Sequence, residues 1–455
     1  MTEFSMHFEW LDKFAWHVAG RGFLEFRHGQ QVGVDWQLVQ TSAGRLFVLA
    51  KGNGTTELGH DALQMLLHFE SPSQLLSKDE EWATRIQMLS LSSAAHPDAE
   101  ANGWISISAH SAERSRKGAA ATAHRFAISN LAPDRPPTEE WAQNGYKLIW
   151  RPVDEYARVI STLRTLHRIA VTATLTIEIG DHVEAARVAD VACDLASYAC
   201  GCRIQWAYQE GLDVNGLPVT GFISNAITGP YVGLPLIKED ALWEFMQQQW
   251  NSYAAFRAEN LSQARRLLGL LLNATADDDF MELRGSKLAT TIDAVVTMVI
   301  GTNPEAVPFL SARTRKAFGK ALREFIRTDL PSRLREDLSP EIVDAVVSEM
   351  TDKSNELLRL SFRNAIRRTC NAIQIELEEA DISRFVRARN ELIHEGRYVC
   401  QSPAPPGDWP FAKTAEEYFW MLRFVDRVVL RTIKYRGAFL DRCTRDGSEV
   451  PAESG

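Results

Sequence analysis

The spacing of apolar residues predicts a β-rich first part of the chain. Residues 22–52 alternate apolar and polar positions in short runs separated by glycine-bearing turns, as antiparallel strands do. The small residues 42–44 predict a turn between strands at 36–39 and 46–49. We therefore expect residues 1–145 to form an antiparallel sandwich or an open barrel.

Two more strands are predicted before a change of pattern. Residues 103–108 and 124–128 have strand-like composition, and we expect them to pair with each other. The polar, small-residue segment 111–121 between them predicts a loop. The turn-rich sequence Pro133–Pro137 cannot continue a regular element, so it predicts a domain boundary nearby.

Residues 146–237 mix the two periodicities and predict a small α/β unit. Its expected strands are 147–150, 170–179 and 203–208, and its expected amphipathic helices are 154–166 and 182–198. The segment 211–235 is rich in glycine and proline, so we expect it to leave the unit as a connection.

From residue 241 to residue 440 almost every apolar position fits a period of 3.6 residues. The expected helices are 239–273, 280–300, 311–329, 339–350, 352–380, 382–395 and 414–440. We predict a helical domain over 238–442, followed by a polar, frayed tail over 443–455. The predicted fold class is α+β, with a β-rich region and a small α/β unit ahead of an all-helical bundle.

Composition agrees with a globular protein of two or three domains. The chain has 455 residues, of which 45% are hydrophobic and 24% charged. The net charge of −9 means that any nucleic-acid contact is local. No apolar run reaches the roughly 18–20 residues of a membrane span, and the first residues lack the features of a signal peptide. We expect a cytoplasmic protein with no membrane partner.

No motif predicts a metal or a cofactor. The six cysteines are too sparse for a disulfide framework and fit no zinc spacing, so we expect buried free thiols. No glycine-rich loop carries the Lys-Ser/Thr ending of a phosphate-binding loop. The acidic run Asp277–Asp279 is better explained as a solvated loop or helix cap than as a cation site.

One local pattern combines residue type and spacing into candidate chemistry. Arg389 and Asn390 are followed by His394 near the end of the predicted helix 382–395, and Gly396 supplies a helix stop. The helix dipole favours a protonated imidazole there. Asn390 and His394 share a face, whereas Arg389 lies about 140° round the helix from His394. Two such helices across a two-fold axis could pool both pairs in one cleft.

A guanidinium that grips phosphate oxygens, beside an imidazole that moves protons, suffices to cleave RNA without metal. The plainer interpretation is a surface helix with ion pairs among Arg387, Glu391 and Glu395. Basic residues elsewhere in the helical domain predict either solvated faces or a phosphate-tracking groove. They are Arg313, Arg315, Lys316, Lys320, Arg323, Arg363, Arg367, Arg368, Arg384, Arg387, Arg389 and Arg397.

Arg-Asn-x-x-x-His within a C-terminal helical block resembles the signature of the HEPN superfamily: arginine, a polar residue, three variable residues and histidine. The continuation Glu395-Gly396-Arg397 is similar to that of members in which glycine follows the histidine closely. A long β-containing region ahead of the helical domain is similar to the plan of ApeA-like HEPN proteins of bacterial phage defence. The resemblance covers residues 280–440 in fold and six residues in motif.

This resemblance implies a homodimer formed through the helical domain and metal-independent cleavage of RNA. His394 would handle the proton of the 2′-hydroxyl or leaving group, Arg389 would stabilise charge on the phosphate, and Asn390 would orient His394 or the backbone. HEPN toxins that are silenced by nucleotidyl transfer carry a tyrosine two residues after the histidine. Here that position is Gly396 and the tyrosine is Tyr398, which argues against that subtype.

Two alternatives remain open from the sequence. Some HEPN proteins keep the bundle without activity, so a non-catalytic nucleic-acid-binding or scaffold protein is one of them. The other is a carbohydrate- or peptide-binding sandwich with a helical dimerisation domain, because ten of the twelve tryptophans precede residue 251. In each case the β-rich region would sense a ligand or trigger that the sequence does not identify.

Overall fold

The protein forms two compact units, residues 1–259 and 260–455, in a computed structural model. The structure describes residues 19–26, 29–40, 46–53, 72–77, 82–91, 104–166, 170–224, 234–276, 279–301, 312–353, 360–398, 411–442 and 448–452. The predicted α+β class is confirmed, with a β-rich region first and a helical region after it. The turn expected at 42–44 lies outside the described residues.

Six strands of the first unit close into an antiparallel barrel in the order β1–β2–β3–β6–β5–β4, with β4 pairing back to β1. Their bounds are β1 Ala19–Glu25, β2 Gln31–Gln40, β3 Leu46–Gly52, β4 Gln74–Ser77, β5 Trp82–Leu91 and β6 Ile105–Arg116. The predicted strands at 36–39 and 46–49 are confirmed, but the barrel is closed rather than open.

The barrel closes where β1 meets β4, and Gly22 permits that approach. A Cβ atom on Gly22 would overlap the backbone carbonyl of Leu76. Alternate residues point inward, so Leu24, Val34 and Ile86 are fully buried in one core cluster. The inward face of the strands therefore supplies the apolar filling, as the alternating pattern requires.

A second, open sheet grows from β6 in the order β6–β12–β11–β7–β10–β9–β8. Its further strands are β7 Ala123–Ser129, β8 Glu139–Gln143, β9 Tyr146–Pro152, β10 Val171–Ile177, β11 Gln205–Leu212 and β12 Pro218–Ser224. The predicted boundary at residue 145 falls in the β8–β9 hairpin, so strands on both sides of it share this sheet.

Three expectations for this region are wrong. The segment 111–116 continues strand β6 instead of forming a loop, because Ala112 and Arg114 are buried on either side of the exposed Glu113, as in a strand. Strand β7 pairs with β10 and β11, not with the strand at 103–108. Strand β12 occupies part of the expected glycine- and proline-rich connection, because Val219 and Ile223 alternate as buried positions.

Helices pack on the second sheet. They are α1 Tyr156–Leu166, α2 His182–Cys200 and α3 Leu242–Glu259. Helix α2 is capped by Asp181, whose carboxylate accepts from the backbone N–H groups of Val183 and Glu184. Arg257 of α3 is buried and pairs with Asp190 and Asp194 of α2, at 2.7 and 2.8 Å. The α/β character expected for residues 146–237 is thus present, within the larger sheet.

The second unit is helical. Its elements are α4 Leu261–Ala274, α5 Met281–Ile300, α6 Ala312–Leu334, α7 Pro340–Lys353, α8 Phe362–Ala372, α9 Glu379–Glu395 and α10 Phe411–Thr432, with the strands β13 Ala438–Leu440 and β14 Glu449–Pro451. Among the residues that the structure describes, no helix has both the length and the apolar character needed to cross a membrane.

Helix boundaries depart from the predicted bounds by five residues or more in four places. The helix expected over 311–329 continues as α6 through Pro331 to Leu334. The helix expected over 239–273 is two helices that break at Asn260, whose φ is −137°. The helix expected over 352–380 includes α8, but residues 373–378 are not helical. The helix expected over 414–440 ends at Thr432, and the predicted frayed tail contains β14, which pairs with β13.

Candidate functional site at the end of helix α9

Helix α9 forms because its apolar residues make one stripe. Ile382, Phe385, Ala388 and Leu392 are buried at spacings of three, three and four residues. The helix ends at Gly396, which adopts the left-handed conformation with φ of 66°. The predictions that the helix stops at this glycine and that His394 lies in its last turn are therefore confirmed.

Anchors on both sides of His394 fix the end of α9 against α5. Leu392 before it and Tyr398 after it are both buried. Both side chains lie so close to Gly285 of α5 that a Cβ atom there would overlap them. His394 itself is exposed. The fold therefore presents this imidazole on a short, immobilised piece of chain.

Arg389 lies between α9 and its neighbours with its side chain 25% exposed. Its guanidinium carbon stands 4.8 Å from the ring centroid of Phe362, a cation–π arrangement. One terminal nitrogen donates to Asn390 Oδ1 at 3.2 Å, and the other lies 3.8 Å from Asp293 Oδ2. The stacking on Phe362 and the attraction of Asp293 hold the guanidinium in place.

The hydrogen-bonding capacity of Arg389 is largely unused. Of its five N–H donors, only the one directed to Asn390 makes a hydrogen bond with the described residues, and Nε is buried without a partner among them. Arg384 on the same helix differs, because Glu417 accepts from both its Nε and a terminal nitrogen. Arg389 is thus positioned without being neutralised by a close, forked carboxylate.

The carboxyl group of Asp293 modulates this site. Burial raises its pKa above the usual value, while the guanidinium of Arg389 acts in the opposite direction. A partly buried carboxylate at 3.8 Å orients the guanidinium but leaves it room to accept a second anion. Asp293 and Phe362 were not predicted as site residues, because they belong to α5 and α8, far from the motif in sequence.

The predicted site residues are only partly brought together. Arg389 and Asn390 share a hydrogen bond, and Asn390 and His394 are both exposed. Within the described parts of the chain, no hydrogen bond or ion pair joins Arg389 to His394. This matches the expected angular separation on one helix. The weak ion pair expected between Arg387 and Glu391 is present at 3.8 Å.

A second feature of the helical unit is a row of basic residues on α6. Arg313, Lys316, Lys320, Arg323 and Arg327 follow one another at steps of three and four residues, so they lie on one face. All are exposed except Arg323, which is half-buried. We call these five residues the α6 basic row. It extends for about 21 Å along the helix at 1.5 Å per residue.

The described residues contain no group of three or more His, Cys, Asp or Glu side chains able to hold a metal ion. Asp279 instead pairs with Lys287, while Asp277 and Asp278 lie outside the described residues. The prediction of free thiols is confirmed for Cys193, Cys200, Cys202 and Cys370, with Cys200 half-buried and the others buried. Cys400 and Cys443 lie outside the described residues.

Comparison of the chain with protein-family models, curated proteins and solved structures found no match to any of them. The case for a function therefore depends on the residues and their geometry.

Proposed function

We propose that this protein is a metal-independent endoribonuclease of the HEPN type, active as a homodimer formed through its helical unit. The observation that carries the proposal is the pairing, at the end of α9, of a fixed guanidinium with an exposed imidazole. Arg389 is held by Phe362 and Asp293 with most of its donors unused, and the exposed His394 follows in the last turn of the same helix.

The two side chains supply complementary chemistry. The Arg389 guanidinium offers paired N–H donors to phosphate oxygens, which lowers the energy of the additional negative charge in the transition state. His394 removes the proton from the 2′-hydroxyl or gives one to the departing 5′-oxygen. The 2′-oxygen forms a bond to phosphorus as the bond to the 5′-oxygen breaks, so the products are a 2′,3′-cyclic phosphate and a 5′-hydroxyl end. Asn390 contributes by holding a terminal nitrogen of Arg389.

The position of the residues on the helix is what supports a dimer in this proposal. One copy of α9 does not direct Arg389 and His394 at the same atom, because they are about 140° apart round the axis. Two copies related by a two-fold axis could pool both pairs in one cleft, with the guanidinium of one copy beside the imidazole of the other. The α6 basic row supports the same substrate class, because it offers positive charges at regular intervals to a phosphate backbone.

The proposed setting is a bacterial anti-phage or stress response in the cytoplasm. The β-rich unit would sense the trigger or restrain the nuclease. A non-catalytic scaffold is the second candidate, and the stacking of Arg389 on Phe362 is the observation that favours it, since such stacking also stabilises a helix bundle.

The experiment is RNA cleavage by the full chain in the presence of EDTA, with the molar mass measured by light scattering. We expect cleavage to persist in EDTA, to yield a 2′,3′-cyclic phosphate and to disappear in His394→Ala. Arg387→Ala on the same helix is the matched control and should keep its activity. Cleavage that needs a divalent cation, or that survives His394→Ala, would contradict the proposal. A folded dimer without activity on any RNA would favour the scaffold.

A further inference from the structure

A cavity of about 440 Å³ in the first unit lies between the start of α2 and the face of strands β6, β12 and β11. Trp206 and Phe222 give it aromatic walls, and Glu113, Gln209, Thr220 and His182 add polar groups. Such a volume, mainly apolar with a few polar groups, is typical of a small-molecule site. Nothing in the proposed nuclease chemistry uses it.

Sheet register arranges three of these residues in a line. Phe222 of β12 pairs with Glu113 of β6 on one side and with Gln209 of β11 on the other. Neighbouring strands are about 4.8 Å apart, so the carboxylate and the amide flank the phenyl ring at either side. A planar ligand stacked on Phe222 would meet hydrogen-bonding groups at both edges.

Hydrogen bonds fix the orientation of the Gln209 amide. Its Nε2 lies 3.2 Å from His124 Nδ1 and 3.2 Å from the carbonyl oxygen of His182. A carbonyl oxygen can only accept a hydrogen bond, so the Gln209 amide must point its NH2 group, and not its oxygen, at His182. His124 then accepts at Nδ1 and donates from Nε2 to the Gly180 carbonyl at 3.2 Å.

This arrangement leaves the amide oxygen of Gln209 as an acceptor at the cavity. Gln209 is 5% exposed, and its Oε1 makes no hydrogen bond with the described residues. Oε1 is accessible to solvent rather than sealed in the core, and a ligand N–H group can replace that solvent. The cavity therefore offers an acceptor to a molecule that brings N–H groups.

The aromatic wall is rigid. The indole N–H of Trp206 donates to Asp190 at 2.8 Å, and its ring meets Phe126 edge-on at 5.5 Å. The Trp206 and Phe222 ring centroids are 5.9 Å apart with an interplanar angle of 56°. A flat aromatic ligand can thus stack on one ring and touch the other with its edge.

We propose that this cavity binds the base of a purine nucleoside or nucleotide that presents adjacent N–H donors, as guanine does. The base stacks on Phe222, the exposed Glu113 carboxylate accepts two parallel N–H bonds from the base, and Gln209 Oε1 accepts from a further N–H or hydroxyl group of the ligand. Uracil fits poorly, because its single ring N–H lies between two carbonyl groups that a carboxylate repels. The inference is independent of the nuclease proposal.

The test is isothermal titration calorimetry of the full chain with guanosine, inosine, adenosine and uridine. We expect guanosine to bind most tightly. Inosine lacks the exocyclic amino group and should bind at least about tenfold more weakly, as expected for loss of one hydrogen bond to a charged acceptor. A short oligoguanylate tests whether the base is taken from an RNA strand: binding that is tighter than that of guanosine and loses this gain in Glu113→Gln assigns the site to RNA, and weaker binding assigns it to the free nucleoside.

Glu113→Gln is the decisive variant, because the side chain is exposed and the change preserves its size. It should reduce guanosine affinity at least about tenfold and remove the preference over inosine. Glu139→Gln, on β8 at the far edge of the same sheet, is the matched control and should bind as the unaltered protein does. Phe222→Leu should also weaken binding, with circular dichroism melting to verify folding. Absence of heat with all four nucleosides at millimolar concentration, or binding unchanged in Glu113→Gln and Phe222→Leu, would overturn the proposal.

Discussion

Tyr398 packs its hydroxyl end and the adjoining ring carbon onto Gly285, a backbone position with no side chain to displace. This contact joins the segment after the α9 motif to helix α5. The Tyr398 hydroxyl is buried and has no hydrogen-bond partner among the described residues. The side chain therefore contributes through packing, while its buried hydroxyl adds the unfavourable desolvation of a polar group without a partner among the described residues.

Gly285→Ala should destabilise the helical unit by about 1–3 kcal/mol, because a new methyl group forces Tyr398 and Leu392 away. Tyr398→Phe should leave the free energy of unfolding unchanged or raise it slightly, since it removes the unsatisfied hydroxyl. Urea unfolding followed by circular dichroism measures both. A strongly destabilised Tyr398→Phe would mean that the hydroxyl has a partner.

Arg389→Lys should lower RNA cleavage about 10²–10³-fold with little loss of stability, because an ammonium cannot reproduce the forked grip on phosphate. Arg384→Lys is the matched substitution on the same helix. Its guanidinium binds Glu417 and stacks 4.3 Å from the Trp420 ring, so stability should fall by about 1 kcal/mol while cleavage per folded molecule stays constant. Equal loss of cleavage in both variants would argue against a special role for Arg389.

The α6 basic row should contribute to RNA affinity through counterion release. Replacing Lys316 and Lys320 with alanine should reduce the slope of log affinity against log salt concentration by about 1.4, at about 0.7 for each phosphate contact on a single strand. Fluorescence anisotropy with a labelled RNA at several salt concentrations measures the slope. The control pair Arg333 and Arg335, exposed on the same helix and just beyond its end but outside the row, should leave the slope within error.

His124 should make the first unit less stable in mild acid. Burial lowers its pKa below the usual 6.5; His182 acts in the same direction, and the Gly180 carbonyl and Asp181 oppose them. The unfolded chain thus binds this proton more readily, so the contribution is complete above about pH 6.5 and is lost as the pH falls toward the folded-state pKa. Unfolding free energies at pH 7.5 and pH 5.5 should differ more in the unaltered protein than in His124→Gln. Comparing the pH effect between the two proteins cancels the contribution of buried carboxyl groups such as Glu210. Burial raises the pKa of Glu210, so its contribution to stability changes with pH in the opposite direction.

Asp426 and Arg442 form a buried, two-point ion pair that ties the segment after β13 to helix α10. Asp426→Ala should cost about 3–5 kcal/mol, because it leaves the guanidinium charge buried without its partner. Arg423→Gln removes a guanidinium that is 48% exposed and pairs with the buried Asp441, and it should cost less than Asp426→Ala because only one member of this pair is buried. Chemical denaturation of both variants provides the comparison.

Local features of the candidate site were predictable, and its long-range contacts were not. The apolar residues from Ile382 to Leu392 and the helix stop at Gly396 lie close together in the sequence. The helical spacing of the apolar residues therefore predicts where α9 ends. The partners of Arg389 are Asp293 and Phe362, and no local rule pairs residues on three separate helices.

Barrel closure escaped prediction for a related reason. It needs the short strand β4, of four residues, and the pairing of Leu46–Ala50 with Ile105–Ala109 across a long stretch of chain. The cavity beside α2 was also missed. Gln209 and Phe222 become neighbours only through the register of β11 and β12. Nothing in the local sequence distinguishes Trp206 from an aromatic residue of the core.

Strand β6 has one further consequence. One of its edges is bonded to β5 along most of its length, while the other edge serves β3 first and then β12. The barrel and the open sheet therefore share strand β6. If β6 leaves either of them, the backbone hydrogen bonds that it makes to the other are lost as well. Heat should dissolve both in a single transition, and a molecule seated beside Glu113 should slow amide exchange as far away as β3.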